Sequence, residues 1–175
     1  LKSVSLSANW MWPCKNAGED AALYRAVEAC SDFAVALGIN IPTGKDSLSM
    51  TQKYGDDKVF APGTVIVSAA GETADVRRTV TPVLQKKAKS ELYYIDFSAD
   101  ELRLGGSAFA QTRTSVGSDA PTVKDAGYFK RAFAAVQNLV KNNRVLAMHD
   151  VSAGGLVTTL LEMVFANTDG GLSIT

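Results

Sequence analysis

The hydrophobic period of this chain changes from two to about 3.6 and back to two between residues 3 and 70. At residues 3–8, Val4 and Leu6 alternate with Ser3, Ser5 and Ser7, the pattern of a short half-buried strand. Residues 9–18, with Pro13, Asn16 and Gly18, read as a loop. Leu23, Val27, Cys30, Ala34 and Leu37 then recur at helical spacing and put Cys30 on a buried face. Asn16 and Glu19 are spaced as a capping box ahead of that helix, and Gly38 stands at its stop. Residues 42–46 read as a turn. Leu48 and Met50 alternate with Ser47, Ser49 and Thr51 as a second strand, and residues 54–58 read as a hairpin-like turn. Residues 64–70 form a third strand, expected to be the most buried because Val65, Ile66 and Val67 are consecutive. A segment that switches period in this way mixes strands with a helix. It predicts an α+β or α/β layered fold.

The pattern changes again over residues 71–90, which are polar and poor in large apolar side chains. A domain boundary is expected near residue 75, giving domains at 1–74 and 75–175, with Lys86, Lys87 and Lys89 in a solvated connector. Beyond it, residues 92–97 are rich in aromatic and β-branched side chains and predict a strand. Residues 104–107 open a short helical stretch. Residues 125–141 make the clearest helix, with Asp125 as cap and Tyr128, Phe129, Ala132, Phe133, Val136, Leu139 and Val140 as its apolar face. A short buried strand over 144–148, a loop over 149–155 and a helix over 156–166 follow, the last with Leu156, Leu160, Leu161 and Val164 inward. The chain opens and closes in strand-like patterns, at Leu1–Val4 and at 171–175, so both ends are expected to continue into more protein.

Charge and composition narrow the function classes. Eighteen basic and 18 acidic side chains balance to zero, which gives no electrostatic footprint for nucleic acid or an anionic membrane. No apolar run approaches the roughly 20 residues of a membrane-spanning helix. Cys14 and Cys30 lack zinc-site spacing and read as two free thiols, as expected of a cytoplasmic protein, with a disulfide as the alternative. Neither cysteine sits in the setting of an activated nucleophile: Cys14 lies in Pro-Cys-Lys and Cys30 is within a helix.

Chemistry concentrates in three stretches. In the first, Ala147–Leu156, a strand pattern ends, a polar loop follows, and Gly154-Gly155 precede a helix. The first amides of a helix lack internal partners and lie at the positive end of its dipole, so such a junction can hold phosphate. Paired glycines admit close approach, Ser152 adds a hydroxyl, and Asp150 can supply an oxygen to Mg²⁺. His149, the only histidine, is either a hydrogen-bonded structural residue or a phosphate contact. The same residues also fit a plain helix start, with Asp150 or Ser152 as cap and the glycines in a tight turn. In the second stretch, Lys45, Asp46 and Ser47 follow Gly44. They fail the phosphate-loop pattern because Asp46 stands where Ser or Thr is required, and because the stretch leads into a strand. They remain either contacts for substrate or phosphate or a surface turn. The third stretch places Trp10 and Trp12 in a polar loop, for core packing or an inter-domain contact.

Taken together, these stretches resemble one family. Leu6-Ser7-Ala8-Asn9-Trp10-Met11 with Gly18-Glu19-Asp20-Ala21, then Pro42-x-Gly44-Lys45-Asp46-Ser47-x-Ser49-Met50, then His149-Asp150-x-Ser152-x-Gly154-Gly155-Leu156 leading into Leu161-Glu162-Met163-x-Phe165-Ala166, are similar in order and spacing to the long, single-chain phosphoribosylformylglycinamidine synthases. The resemblance implies an internal fragment of the second synthetase half. Residues 1–74 would be the end of an aminoimidazole-ribonucleotide-synthetase-like N-terminal domain, and residues 75–175 most of its α/β C-terminal domain. It implies a ligase that uses ATP to phosphorylate an amide oxygen of formylglycinamide ribonucleotide, which ammonia from glutamine then displaces. It further implies Mg²⁺ and ATP or ADP as cofactors, Asp150 as metal ligand, and Ser152, Gly154, Gly155 and His149 around the phosphates. The partners implied are the remaining synthetase and glutaminase domains of the parent chain. Ala153 departs from the family, in which Asp is common before the glycine pair, and this removes one carboxylate from the expected site. The alternatives are a half that holds its nucleotide structurally, and another member of the superfamily resembling selenophosphate synthetase. The fragment alone is expected to be inactive, and no residue is assigned as catalytic.

Overall fold

Strand β1 (Ser3–Met11) is the central strand of the first half, and its register fixes everything around it. A computed structural model describes residues 3–167 and 169–174. The chain divides into two compact units, Leu1–Ala74 and Asp75–Thr175.

In the first unit, β1 is followed by helix α1 (Glu19–Leu37) and then by β2 (Asn40–Ser47), which returns parallel to β1. A short hairpin comes next, β3 (Thr51–Tyr54) and β4 (Asp57–Phe60), turned at Gly55 with a φ of 62°. Strand β5 (Thr64–Glu72) then pairs antiparallel with the other side of β1, giving the order β2-β1-β5. Helix α1 turns Leu23, Ala26, Cys30, Phe33, Ala34 and Leu37 toward shelter, at spacings of three and four. Gly38 ends it in the left-handed conformation, with its amide directed at the carbonyls of Ala34 and Val35, as the sequence predicts.

Several expectations are corrected here. β1 runs to Met11, so Asn9 and Trp10 lie in the sheet and not in a loop. The expected turn at 42–46 is part of β2. Pro42 is tolerated because β2 is an edge strand and because the register slips beside it: Ser5 pairs with Asn40, but Ser7 pairs with Thr43. The strand expected around Leu48 and Met50 is broken into an isolated bridge between Pro13 and Ser49. Asn16 does not cap α1. Gly18 occupies the cap, while the Asn16 amide donates to the Pro13 carbonyl at 2.8 Å and to Thr51 Oγ1 at 3.1 Å, and its oxygen accepts from Lys58. Asn16 thus ties the loop to the hairpin. β5 is exposed along its whole length, Ile66 included, because it lies at a sheet edge and not at the centre. Val27 is likewise exposed, one step off the sheltered stripe of α1.

The second unit is built from a one-turn 3₁₀ helix (Val76–Arg78) and helices α2 (Ala108–Thr112), α3 (Ala126–Lys141) and α4 (Gly155–Phe165). Asp125 caps α3 by accepting the Tyr128 amide at 2.8 Å, and Ser107 caps α2 by accepting the Ala110 amide at 3.1 Å. Val136 and Met163 are its buried large apolar side chains among the described residues. Tyr128, Phe133 and Leu139 on α3 are more exposed than their spacing predicts. On α4 the sheltered face is Thr159, Leu160, Met163 and Val164, with Leu156 and Leu161 outside it.

The strands expected at 92–97, 144–148 and 171–174 do not form; Thr175 lies outside the described residues. A strand is a pairing state, and among the described residues this unit offers no ladder partner. Met148 makes one backbone bond, from its amide to the Thr81 carbonyl at 3.1 Å, which is too little for a ladder.

Candidate functional site

The turn from Met148 to Leu156 belongs to the second unit and leads directly into α4. Gly154 and Gly155 both have positive φ, at 91° and 72°. That region favours glycine because a β-carbon there meets its own backbone. Gly154 is the N-cap and carries no side-chain cap, so neither Asp150 nor Ser152 acts as the helix cap. Ser152 is exposed, and its carbonyl accepts the Gly155 amide at 3.0 Å. A β-carbon on Gly155 would find nothing within 4 Å, so the bare backbone there borders open space. The start of α4 therefore combines first-turn amides without a side-chain cap, of which that of Gly155 is bonded to the Ser152 carbonyl, the positive dipole end and unobstructed approach.

The Asp150 side chain, four residues before Gly154, is 85% exposed. His149 beside it is enclosed, at 18% side-chain exposure. Its Nδ1 lies 2.8 Å from the Asp150 carbonyl and 3.4 Å from Asp150 Oδ1, and its Nε2 lies 3.1 Å from Glu162 Oε2. Both ring nitrogens therefore face protein oxygens. Thr159 is 4% exposed, and its hydroxyl is shared between the carbonyls of Gly155 at 3.2 Å and Asp150 at 3.3 Å.

The donor set suits a phosphate better than a free metal ion. Among the described residues no group of three or more His, Cys, Asp or Glu side chains is placed to hold a metal. Asp150 is the exposed carboxylate of the turn that could hold Mg²⁺, and the ion would need ligands from outside this cluster. A hollow of about 320 Å³ in the same unit, between Leu104, Phe109, Arg113 and Val116, shares no residue with the turn.

The second group lies in the first unit, on β2. Lys45 Nζ donates to Ser47 Oγ at 2.6 Å. Asp46 pairs with Trp10 and faces the other side of the sheet, because neighbours on a strand point oppositely. Lys45, Asp46 and Ser47 are therefore not one cluster. Lys45 and Ser47 share their face with Asn9 and Met11, their register partners on β1. Trp10 and Trp12 pack with ring centroids 6.4 Å apart. The sequence reading missed Thr159 and Glu162; their spacing of three on α4 puts both on the side of the helix that meets the turn, a signal available only once the helix start is known.

Residues 1–72 match the family model of the FGAR-AT PurM_N-like domain, and residues 92–172 match that of the AIR synthase related protein C-terminal domain. Together they define an α+β protein of the AIR-synthase-like class. The chain is 43% identical over 171 residues to the probable chloroplastic/mitochondrial phosphoribosylformylglycinamidine synthase of Arabidopsis thaliana, which covers 97% of this chain. The chain carries both of these domains, and it spans 12% of the length of that relative. Among the described residues, no helix is long and apolar enough to cross a membrane.

Proposed function

We propose that this chain is a nucleotide-holding segment of an ATP-dependent carbon–nitrogen ligase of purine biosynthesis, and that the Met148–Leu156 turn receives the phosphates. One observation supports the reading: two consecutive glycines at positive φ open a helix without a side-chain cap, shortly after an exposed carboxylate in the chain. The α4 amides and dipole attract the phosphate charge. Ser152 would add a hydroxyl, and Asp150 would hold Mg²⁺ through its carboxylate, the ion supplying charge neutralisation for the phosphates.

In the parent reaction, formylglycinamide ribonucleotide, glutamine and ATP give formylglycinamidine ribonucleotide. Phosphorylation makes the amide oxygen a leaving group, and ammonia displaces it. The segment contributes binding to that reaction, and the isolated chain turns nothing over. Glutamine hydrolysis belongs to another domain: the two cysteines lack an activating base, and the sole histidine is engaged by Asp150 and Glu162. The remaining synthetase and glutaminase domains are its partners, and two free thiols fit the cytoplasm. Lys45 and Ser47 are proposed as contacts to substrate or phosphate on a separate surface.

A second reading has specific support. A site with one carboxylate and no further metal-binding cluster among the described residues fits a nucleotide that is held structurally and not consumed. Calorimetric titration with ADP and Mg²⁺ tests the shared claim. The wild-type chain is expected to bind, and Asp150→Ala to bind roughly tenfold more weakly through loss of one charge-assisted contact. Equal affinity in the two proteins removes the metal assignment, and absence of binding by wild type removes the phosphate turn.

A further inference from the structure

Helix α4 grips the Met148–Leu156 turn from its own second and third turns. Thr159 reaches back to the carbonyls of Gly155 and Asp150, and Glu162, three residues on, reaches the Nε2 of His149. The other ring nitrogen of His149 meets the Asp150 carbonyl at 2.8 Å, so one backbone oxygen is approached both by the imidazole and by the Thr159 hydroxyl. The chain Glu162–His149–Asp150 thus joins the helix to the residue that faces outward. Exposure follows the same order of roles, with the imidazole 18% exposed and the Asp150 carboxylate 85% exposed.

We infer that Glu162 is a positioning residue for the phosphate turn, acting through His149. The inference rests on the phosphate-binding reading of that turn. An imidazole approached at one nitrogen alone can rotate, and a carboxylate at 3.1 Å from Nε2 restrains the ring plane. With the ring restrained, Nδ1 stays 2.8 Å from the Asp150 carbonyl and 3.4 Å from its Oδ1, and through these two contacts it limits the orientations of the Asp150 side chain. The Glu162 carboxylate thus limits where Asp150 points.

His149 is the only histidine in the chain, so its ring nitrogens give the only imidazole signals in a nitrogen-15 spectrum. The test records those signals and the ADP–Mg²⁺ affinity for the wild-type chain, Glu162→Gln and Glu162→Ala. In Glu162→Ala, the Nε2 signal is expected to lose the character of a hydrogen-bonded N–H, and affinity to fall about tenfold, as for other outer-sphere orienting residues. Glu162→Gln keeps an acceptor oxygen and is expected to restore the Nε2 signal and to bind within about threefold of wild type. It also serves as the folded control, should the alanine variant unfold. Wild-type affinity and unchanged imidazole signals in Glu162→Ala would overturn the inference while leaving the phosphate turn intact. Failure of Glu162→Gln to restore the Nε2 signal in a folded protein would overturn it too. Absence of binding by wild type itself would overturn both readings together.

Discussion

A β-carbon placed on Gly44 would stand 2.1 Å from the carbonyl oxygen of Ala8. The two residues are register partners across β1 and β2, and Ala8 is one of the few buried side chains of the first unit. The glycine ahead of Lys45 is therefore a packing residue. It lets an edge strand close on the central strand just after the register slips beside Pro42.

Gly44→Ala is expected to destabilise the first unit by about 1–3 kcal/mol, since the obstructing atom is backbone and cannot rotate aside. Both tryptophans of the chain, Trp10 and Trp12, lie in this unit. Their fluorescence during urea unfolding reports it directly. An unchanged midpoint would mean that β2 does not approach β1 as described.

The two glycines ahead of α4 should separate stability from binding. In Gly154→Ala the new β-carbon would lie 2.4 Å from Thr158 Oγ1, and that hydroxyl is already committed to the Gly154 carbonyl at 3.0 Å. In Gly155→Ala the β-carbon enters open space, and only the left-handed backbone is penalised, by about 1–2 kcal/mol. Gly154→Ala is thus expected to lower the thermal midpoint more, while Gly155→Ala blocks the approach of phosphate and lowers ADP–Mg²⁺ affinity more. Thermal melts and calorimetry on the pair check the crossing. The same rank order in both measurements would count against the proposed approach path.

What was legible in the sequence is what short-range physics decides. The α3 boundaries followed from Asp125, the α1 stop from Gly38, and the Met148–Leu156 loop from its glycines. What was not legible depended on neighbours. Residues 64–70 have the composition of a central strand, yet β5 sits at an edge, and edge or centre is a property of topology. Residues 92–97 have strand composition but no partner among the described residues. Pro42 and Gly44 signal a turn locally, whereas pairing with β1 holds them extended. The candidate site divides in the same way. Asp150, Ser152, Gly154 and Gly155 were readable as a contiguous pattern, but Glu162 became visible only through its distance to His149.

Asp100 gives the second unit a specific response to acid. Its side chain is fully shielded from solvent, with Lys124 and Arg103 against its two oxygens, and Arg103 pairs in turn with Asp119. The hydrogen bond from Lys124 holds the Asp100 carboxyl below the ordinary Asp value of 3.8, against the cost of burial, with the Glu101 amide and the Arg103 charge assisting. Because the folded value is depressed, the stabilisation is fully present above the unfolded value and is lost as pH falls through the folded one. Thermal midpoints of the wild-type chain should therefore stay level down to about pH 5 and drop below pH 4. Asp100→Asn should start lower at neutral pH and lose part of that acid drop. Parallel curves for the two proteins would show that the acid response lies elsewhere, for example at Asp75, which Arg77 likewise holds low, or at Asp96, which Ser98 does.

The start of α3 offers a cleaner measure of a single contact. Asp125 accepts the Tyr128 amide at 2.8 Å, one of the four amides that the helix itself leaves unpaired. Its charge also lies at the positive end of the helix dipole. Asp125→Ala removes both effects and is expected to cost about 1 kcal/mol. Asp125→Asn keeps the acceptor and removes only the charge, so it should cost a few tenths of that and respond little to salt. Amide hydrogen exchange at Tyr128 and Phe129 reads the first turn without depending on global unfolding. The alanine variant should exchange about fivefold faster there and the asparagine variant close to wild type, for which 1 kcal/mol of local stability is the equivalent free energy. Equal acceleration in both variants would assign the stabilisation to charge and not to the cap, and no acceleration in either would mean that the hydrogen bond does not hold the first turn.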